Sequence, residues 1–394
     1  MCKKKCITKE EFDSKMTVHF DAVSKKTRNL TISVIRKYEN FHESNIVELI
    51  DEALYEQRKG VTEDQVAIYD KLLDFRTFLL KEKSYGTTST YMTVIKKIYK
   101  LFRVTLPQLP TPNSKVANHS DPITFDDIIT LDEIKEAFEI VEPSVKVRCM
   151  AMVTGGYSFN ETQHMTIRQF IDDLYPAHQS NDDEEALLFL SKQDNLVWQT
   201  QLVREKTKKP YYGFVNPETT QSISKWLLTT NYQDKERLFA LVYNTFDIKM
   251  TKANDSLGFK EAGGMKKFRA HMLRKYNATH LKGNILSEDH LSNFEIDELQ
   301  GRGKTSIQDT YIKSNPVEQF HIYLKAMNNV SIYNTYKYQI RSNGGAIIKC
   351  ENNKTKVMKK VKKYDKMIRN DGLQEYINTV GVESFIEQVN QLAK

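Results

Sequence analysis

The spacing of apolar residues in the first quarter of the chain is that of amphipathic helices. One segment has apolar side chains at positions i, i+3, i+4, i+7 and i+11, namely Tyr91, Val94, Ile95, Ile98 and Phe102. Residues 62–83 carry a similar apolar face, whereas residues 16–44 have the composition of a short polar helix. Apolar stripes of this kind pack against other helices. The pattern therefore predicts a helical domain at 45–105, preceded by an N-terminal helical extension at 1–44.

A proline-rich stretch follows this predicted domain. Residues 106–122 contain four prolines among mostly polar residues. Proline removes a backbone donor and fixes φ, so it disfavours helices and central strands and suits an extended connector. We therefore place a linker at 106–122.

The rest of the chain predicts a larger and mostly helical domain at 123–330. Thr130 precedes an apolar-periodic segment and is the expected N-cap of its helix. Residues 184–219 alternate between apolar and polar positions and are rich in aromatic residues, which predicts a small sheet with turns. Residues 331–394 form a predicted basic C-terminal tail. The expected fold class is mainly α with a small antiparallel β-sheet, divided into two domains.

The composition adds a moderate excess of positive charge. The 394 residues carry a formal net charge of +7, which is compatible with a nucleic-acid partner. The four cysteines are scattered, as is usual in a reducing compartment. Cys2 and Cys6 lack the second nearby pair that a zinc site needs, so no metal is expected. Neither a signal peptide nor a membrane span is apparent, and we expect a soluble protein of the cytoplasm.

One short segment, "FRAHMLRKYNATHL" at 268–281, has candidate chemistry. His271 and Arg274 are three residues apart, so on a helix both side chains project from one face. An isolated pair with this spacing is usually an ordinary surface pair. The interpretation therefore depends on what accompanies it.

With its neighbouring segments, this stretch resembles the tyrosine recombinase (phage-integrase-like) family, most closely its archaeal plasmid and virus branch. "HMLRKYNATHL" matches the second motif of the family and supplies His271 and Arg274. In "LQGR", Arg302 stands where most members have a histidine, and Tyr311 follows nine residues later at the position of the nucleophile. Upstream, "LVREKTKKPYYGFV" resembles the hairpin that carries the family's lysine, for which Lys206 is the best candidate. The resemblance spans roughly residues 16–330.

The resemblance fails at the family's first catalytic arginine. The equivalent turn here is "TGGYSFNET", in which Ser158 or Phe159 occupies the position of the arginine. Arg148 and Arg168 flank the turn, and each is a candidate substitute. Three explanations stay open: a displaced arginine, an engineered change that blocks catalysis, and a degenerate relative that binds DNA without cutting it.

The resemblance implies a role for each side chain. Tyr311 attacks a DNA phosphodiester and forms a 3′-phosphotyrosine, and Arg274 holds the non-bridging oxygens. Lys206 protonates the leaving oxygen, while His271 assists proton removal from the tyrosine or contacts the phosphate. Arg302 stabilises charge, since a guanidinium is a poor base. No metal or cofactor is required if these cations hold the developing charge.

The resemblance also implies a nucleic-acid partner and an assembly. Members of the family act as four protomers on two DNA duplexes. The expected partners are therefore a duplex attachment site and further copies of this chain. The side chains that we expect to contact DNA are Lys208, Lys209, Lys96 and Lys97. Lys208 and Lys209 are also the alternatives to Lys206 as the hairpin lysine.

Three rival functions remain to be distinguished. The acidic run at 181–186 could supply carboxylates to a metal-dependent nuclease, although consecutive acidic residues usually lie in a loop. A type IB topoisomerase uses related chemistry, but the short helical N-terminal domain favours an integrase. A catalytically impaired DNA-binding protein is the serious rival, because of the missing first arginine.

Overall fold

The chain divides into two compact units, Met1–Pro122 and Ile123–Lys394. A computed structural model describes residues 7–61, 66–111, 123–205, 208–230, 236–302 and 315–351. Tyr311 and Lys206 lie outside the described residues. The architecture is mainly α-helical, with two small antiparallel sheets.

The first unit is built from helices that share one hydrophobic core. Their bounds are α1 Lys9–Asp21, α2 Lys25–His42, α3 Ile46–Arg58, α4 Ala67–Glu82 and α5 Tyr85–Leu101. Buried residues from every one of these helices belong to a single cluster. Near its centre the hydroxyls of Tyr38 and Tyr99 are 3.1 Å apart, which provides each buried phenol with a polar partner.

The polar helix predicted within 16–44 is confirmed as α2, but residues 16–21 belong to α1 instead. The chain forms α1 and α2 with a break between them, because Ser24 caps the N-terminus of α2 and accepts a hydrogen bond from the Thr27 amide at 3.2 Å. Helix α2 contributes Val34 and Tyr38 to the core that it shares with α3, α4 and α5.

The second unit holds the remaining helices and both sheets. Its helices before the first sheet are α6 Leu131–Ile140, α7 Pro143–Gly155, α8 Phe159–His164, α9 Ile167–Asp173, α10 Tyr175–His178 and α11 Asp183–Lys192. The first sheet pairs β1 Trp198–Val203 with β2 Pro210–Val215. Then follow α12 Pro217–Leu227, α13 Tyr243–Leu257, α14 Ala270–Leu281, α15 Asn293–Leu299, α16 Pro316–Ala326 and a 3₁₀ turn, Met327–Val330. The second sheet pairs β3 Thr335–Ile340 with β4 Ala346–Glu351.

Helix α7 is the central element of the second unit. Every residue from 147 to 155 is buried, and the helix packs against α12, α14 and β2. A helix enclosed on all sides must be apolar around its whole circumference, as this sequence largely is. It ends at Gly156, whose φ of 68° suits glycine and where a Cβ would clash with the Asn277 amide. The close approach of α7 to α14 therefore depends on this glycine.

The predicted small sheet is present, but it is shorter than the alternating segment suggested. The antiparallel pairing runs from Trp198 opposite Val215 to Val203 opposite Pro210. Residues 184–192, which the alternation assigned to the sheet, belong to α11 instead. Its N-cap Asp182 accepts a hydrogen bond from the Glu185 amide at 2.8 Å, and the acidic residues of its first turn are favoured by the helix dipole.

Residues 331–351, the described part of the predicted tail, form a hairpin that is fixed by one buried carboxylate. Glu218 accepts the backbone N–H groups of Ile332 at 2.5 Å, Tyr333 at 2.9 Å and Asn334 at 3.0 Å. The Tyr336 hydroxyl accepts the amide of Glu218 at 2.9 Å. These bonds anchor β3 to the start of α12.

Within the described part of the chain, no helix combines the length and the apolar character needed to cross a membrane.

We expect Glu218→Ala to lower the free energy of unfolding of the second unit by about 3 kcal/mol, because backbone donors buried against the carboxylate lose their acceptor. Glu218→Gln keeps one acceptor oxygen and should lose less. Denaturant unfolding of the purified variants measures both values. The control is Glu184→Ala, an exposed carboxylate on α11, which should cost less than about 0.5 kcal/mol. Equal unfolding free energies for Glu218→Ala and the control would contradict the anchoring role.

Candidate active site

Helix α14 positions the two side chains that the sequence placed on one face. The segment before it is held by Asn254, which accepts the Phe268 amide at 2.8 Å and donates to the Phe268 carbonyl at 2.7 Å. Buried Met272 and Leu273 anchor the first turns of the helix in the core. The predicted helix is therefore confirmed, with His271 exposed and Arg274 buried.

Arg274 is held by two other elements of the unit. Its Nη1 donates to Glu161 Oε2 at 2.6 Å, and its Nη2 donates to the Gln300 carbonyl at 2.7 Å. The arginine side chain is 8% exposed and that of Glu161 is 3% exposed. The ion pair is therefore buried, and it joins α14 to α8 and to the residue that follows α15.

Gln300 begins the turn Gln300–Gly301–Arg302, which contains the glycine-arginine pair of the "LQGR" segment. Gly301 has a φ of 60°, and a Cβ there would lie 2.5 Å from the Tyr211 ring, so both backbone and space require glycine. Arg302 Nη1 donates to Asp297 Oδ1 at 3.2 Å, and the side chain stays 39% exposed. The turn therefore presents Arg302 beside the guanidinium of Arg274.

The electrostatic environment of the turn is cationic. The pKa of His271 lies below its ordinary value, first because the surrounding protein partly desolvates the ring, although the residue reaches the surface, and then because Lys275, Arg269, Arg274 and Arg302 are nearby. The pKa of Arg302 is also lowered, by burial and by Arg274, against the opposing effect of Asp297. This arrangement favours binding of an anion and keeps His271 neutral near pH 7.

Ser158 and Phe159 have structural tasks at the position of the missing arginine. Ser158 is the N-cap of α8, and its amide donates to Glu161 Oε2 at 2.6 Å. Phe159 is 8% exposed and packs edge-on against Tyr243, with ring centroids 5.0 Å apart. Neither position contributes a cation.

The two arginines that flank the "TGGYSFNET" turn, Arg148 and Arg168, both bind other groups of the protein. Arg148 is fully buried and donates to Thr162 Oγ1 at 2.8 Å and to the Leu241 carbonyl at 2.7 Å. Burial lowers its pKa to about 9. Arg168 binds Asp183 at 2.5 Å and Asp172 at 3.4 Å. The structure therefore does not support either as the substitute for the first arginine.

The loop between β1 and β2 closes next to this site. The Arg204 amide donates to the Lys209 carbonyl at 2.8 Å, and the Lys208 amide donates to the Arg204 carbonyl at 2.7 Å. The Asn160 side-chain amide donates to Glu205 Oε2 at 2.8 Å, which ties the loop to α8. Lys206, the predicted general acid, belongs to this loop but lies outside the described residues, as does Tyr311.

The remaining predicted DNA contacts differ in exposure. At the end of the β1–β2 loop Lys208 is exposed, whereas Lys209 is half-buried and its Nζ atom is enclosed by protein. In the first unit, Lys97 is exposed and Lys96 is half-buried on α5, whose Ile95 points into the core.

Sequence reasoning missed Arg204. Its Nη1 donates to the Gly301 carbonyl at 2.9 Å, so its guanidinium reaches the same turn as Arg274 and Arg302. The only sequence signal was its position directly before the lysine-rich loop, where the lysines alone were considered.

Comparisons with known proteins give structural likenesses only. No protein-family model and no curated sequence matches the chain. A XerA recombinase is similar, with a TM-score of 0.31 and 14% identity, over 81% of this chain and 98% of that chain. A lambda integrase tetramer bound to a Holliday junction has a TM-score of 0.46 and 12% identity, over 77% of this chain and 78% of that chain. A XerH site-specific recombinase bound to difH substrate has a TM-score of 0.40 and 12% identity, over 70% of this chain and 76% of that chain.

We expect the pKa of His271, measured by NMR titration, to lie below about 6.5, the ordinary value for histidine. Lys275→Ala should raise it, because removal of a neighbouring positive charge makes protonation less costly. Lys192→Ala, at the end of α11, is the matched control and should leave the value unchanged. A midpoint at or above the ordinary value in the unmodified protein would refute the cationic environment.

Proposed function

We propose that this protein is a site-specific DNA recombinase that cuts and rejoins duplex DNA through Tyr311. The observation that carries the proposal is the cluster formed by His271, Arg274 and Arg302 at one turn of the second unit. A phosphodiester in transfer needs fixed donors for its non-bridging oxygens and a group that accepts a proton. The cluster offers both kinds of group.

In the proposed first step, Tyr311 Oη attacks the phosphorus atom of one DNA strand. A new P–O bond to the tyrosine forms as the bond to the 5′-oxygen breaks, which leaves a 3′-phosphotyrosine and a free 5′-hydroxyl. The proton of the phenol passes to His271, and Lys206 donates a proton to the leaving oxygen. A second 5′-hydroxyl reverses the step and joins new partners, because the energy of the phosphodiester is kept in the protein–DNA bond.

The arginines differ in what they contribute to this step. Arg274 is oriented by Glu161 and Gln300, so it costs little reorganisation when the phosphate arrives. Arg302 is partly exposed and adds positive charge at the same turn. The lowered pKa of His271 keeps the ring neutral near pH 7, as a proton acceptor must be.

We further propose that both units contact the duplex, the second through Lys208 and Lys209 and the first through Lys96 and Lys97. Four protomers would act on two duplexes, as in the family that the sequence resembles, and no metal or cofactor would be needed. We also propose that the protein belongs to the archaeal virus or plasmid branch of that family and acts in the cytoplasm of the host.

The rival based on metal chemistry was suggested by the acidic run at 181–186. The acidic run that suggested it forms the N-terminus of α11. Among the described residues, no group of three or more histidine, cysteine or carboxylate side chains is placed to hold a metal. Binding without cleavage remains the rival that an experiment must exclude.

The experiment first selects the bound sequence from random duplexes and then presents it with a nick near the cleavage point, so that the freed strand end diffuses away. We expect a denaturant-resistant protein–DNA adduct that forms equally well with a metal chelator present. Tyr311→Phe should abolish the adduct and retain binding. Arg274→Ala should slow adduct formation by about 10²-fold or more, since it removes a fixed donor to the phosphate.

Tyr175→Phe, which changes an exposed phenol on α10, is the matched control and should form the adduct normally. Tight binding without any adduct would establish the non-cleaving alternative. An adduct that persists in Tyr311→Phe would show that another residue is the nucleophile.

A further inference from the structure

Arg204 stands at the base of the β1–β2 loop, directly after the last residue of β1. Its backbone pairs with Lys209 and closes the loop. Its side chain leaves the loop and reaches the turn that follows α15, where Nη1 donates to the Gly301 carbonyl at 2.9 Å. The two residues are 97 positions apart in sequence, so this contact is a product of the tertiary fold.

Two arginines from different elements therefore bind neighbouring carbonyls of one turn. Arg274 binds the carbonyl of Gln300 and Arg204 binds that of Gly301. Consecutive Cα atoms are about 3.8 Å apart, so both guanidinium groups are fixed within a few ångströms of one backbone step. The next residue is Arg302. One arginine of the tripeptide turn, Arg302, is thus accompanied by two arginines from other elements that donate to the carbonyls of the turn.

Tyr211 gives independent support for this placement. Its ring packs beneath Gly301. Burial is the main reason that the pKa of its hydroxyl is raised, and Glu161 raises it further, while Arg274 and Arg204 both oppose the rise. The charges of both arginines therefore act on the same buried phenol.

Within the described residues, carboxylates pair with some of the arginines at this turn but not with all of them. Glu161 pairs with Arg274 and Asp297 pairs with Arg302. The bond described for Arg204 goes to a neutral carbonyl, and the adjacent carboxylate of Glu205 accepts the amide of Asn160. A guanidinium has five N–H donors, so Arg204 keeps donors for a further acceptor. Positive charges held close together at one turn favour the binding of an anion between them.

We propose that Arg204 binds the phosphate that Tyr311 attacks, as a third guanidinium beside Arg274 and Arg302. The inference rests on the proposed recombinase function and extends it. The cation that Ser158 and Phe159 do not provide then comes from the lysine-bearing loop. One loop would carry both the general acid, Lys206, and a phosphate-binding arginine.

The first test is independent of cleavage and measures how DNA affinity changes with salt concentration. Each phosphate neutralised by the protein contributes about 0.9 to the slope of log K against log salt concentration. Arg204→Ala should reduce the slope by about this amount and weaken binding at low salt. The matched control is Arg341→Ala, because Arg341 closes the turn of the other hairpin through its amide and is exposed. The control should keep the original slope.

The second test separates phosphate binding from support of the Gly301 turn. Adduct formation is followed on a duplex with an ordinary phosphodiester and on one with a neutral methylphosphonate at the cleavage point. Arg204→Ala should slow the reaction about 10²-fold on the charged substrate and less than about 10-fold on the neutral one, where there is less charge to stabilise. A purely structural role would give equal losses on both.

Arg204→Lys covers the case in which the alanine variant does not fold. A lysine keeps the charge but cannot make the planar fork, so the salt slope should persist while adduct formation on the phosphodiester still slows. An unchanged slope in Arg204→Ala, or unchanged adduct formation in either variant, would overturn the inference and leave the recombinase proposal intact. If the unmodified protein forms no adduct, the proposed function fails, and the salt slope alone decides whether Arg204 contacts phosphate.

Discussion

The candidate site depends on the buried ion pair between Arg274 and Glu161. A buried guanidinium is stable only when protein groups satisfy it, and here the partners are one carboxylate of α8 and the Gln300 carbonyl after α15. Three separate elements are therefore fixed relative to one another by one side chain. The donors of the site are in place before any substrate binds, which is what stabilisation of a developing charge requires.

Glu161 has two roles, and they explain why one neighbouring cation is buried and paired while the others lie nearer the surface. It completes the capping box of α8 with Ser158 and it compensates the charge of Arg274. The net positive charge of the site must then come from groups nearer the surface, such as Arg302 and Lys275. Partial burial, and then these charges, lower the pKa of His271. A fixed arginine and an imidazole of lowered pKa thus occur together at this site.

Features that depend on neighbours in sequence were predicted well. The face of α14 follows from a three-residue spacing, and Thr130 caps α6 through a complete capping box. The β1–β2 hairpin follows from alternation around a turn. Helix α11 was mistaken for part of the sheet because its residues were included in the alternating, aromatic-rich segment at 184–219. Helix α2 was predicted, but its start was placed too early, at 16 instead of after Ser24. In both cases the N-cap residue in the sequence marks the true start of the helix.

By itself, the sequence determined the mainly helical fold class and placed His271 and Arg274 on one helical face, because helical periodicity is a local property. Only the tertiary structure decided what each further arginine does. Arg148, Arg168 and Arg204 look equivalent along the chain, yet the first is sealed in the core by a carbonyl 93 residues away and the last reaches the site through a carbonyl 97 residues away. Such contacts join residues that are distant in sequence, so no local spacing records which guanidinium is sealed in the core and which lies at the turn that carries Arg302.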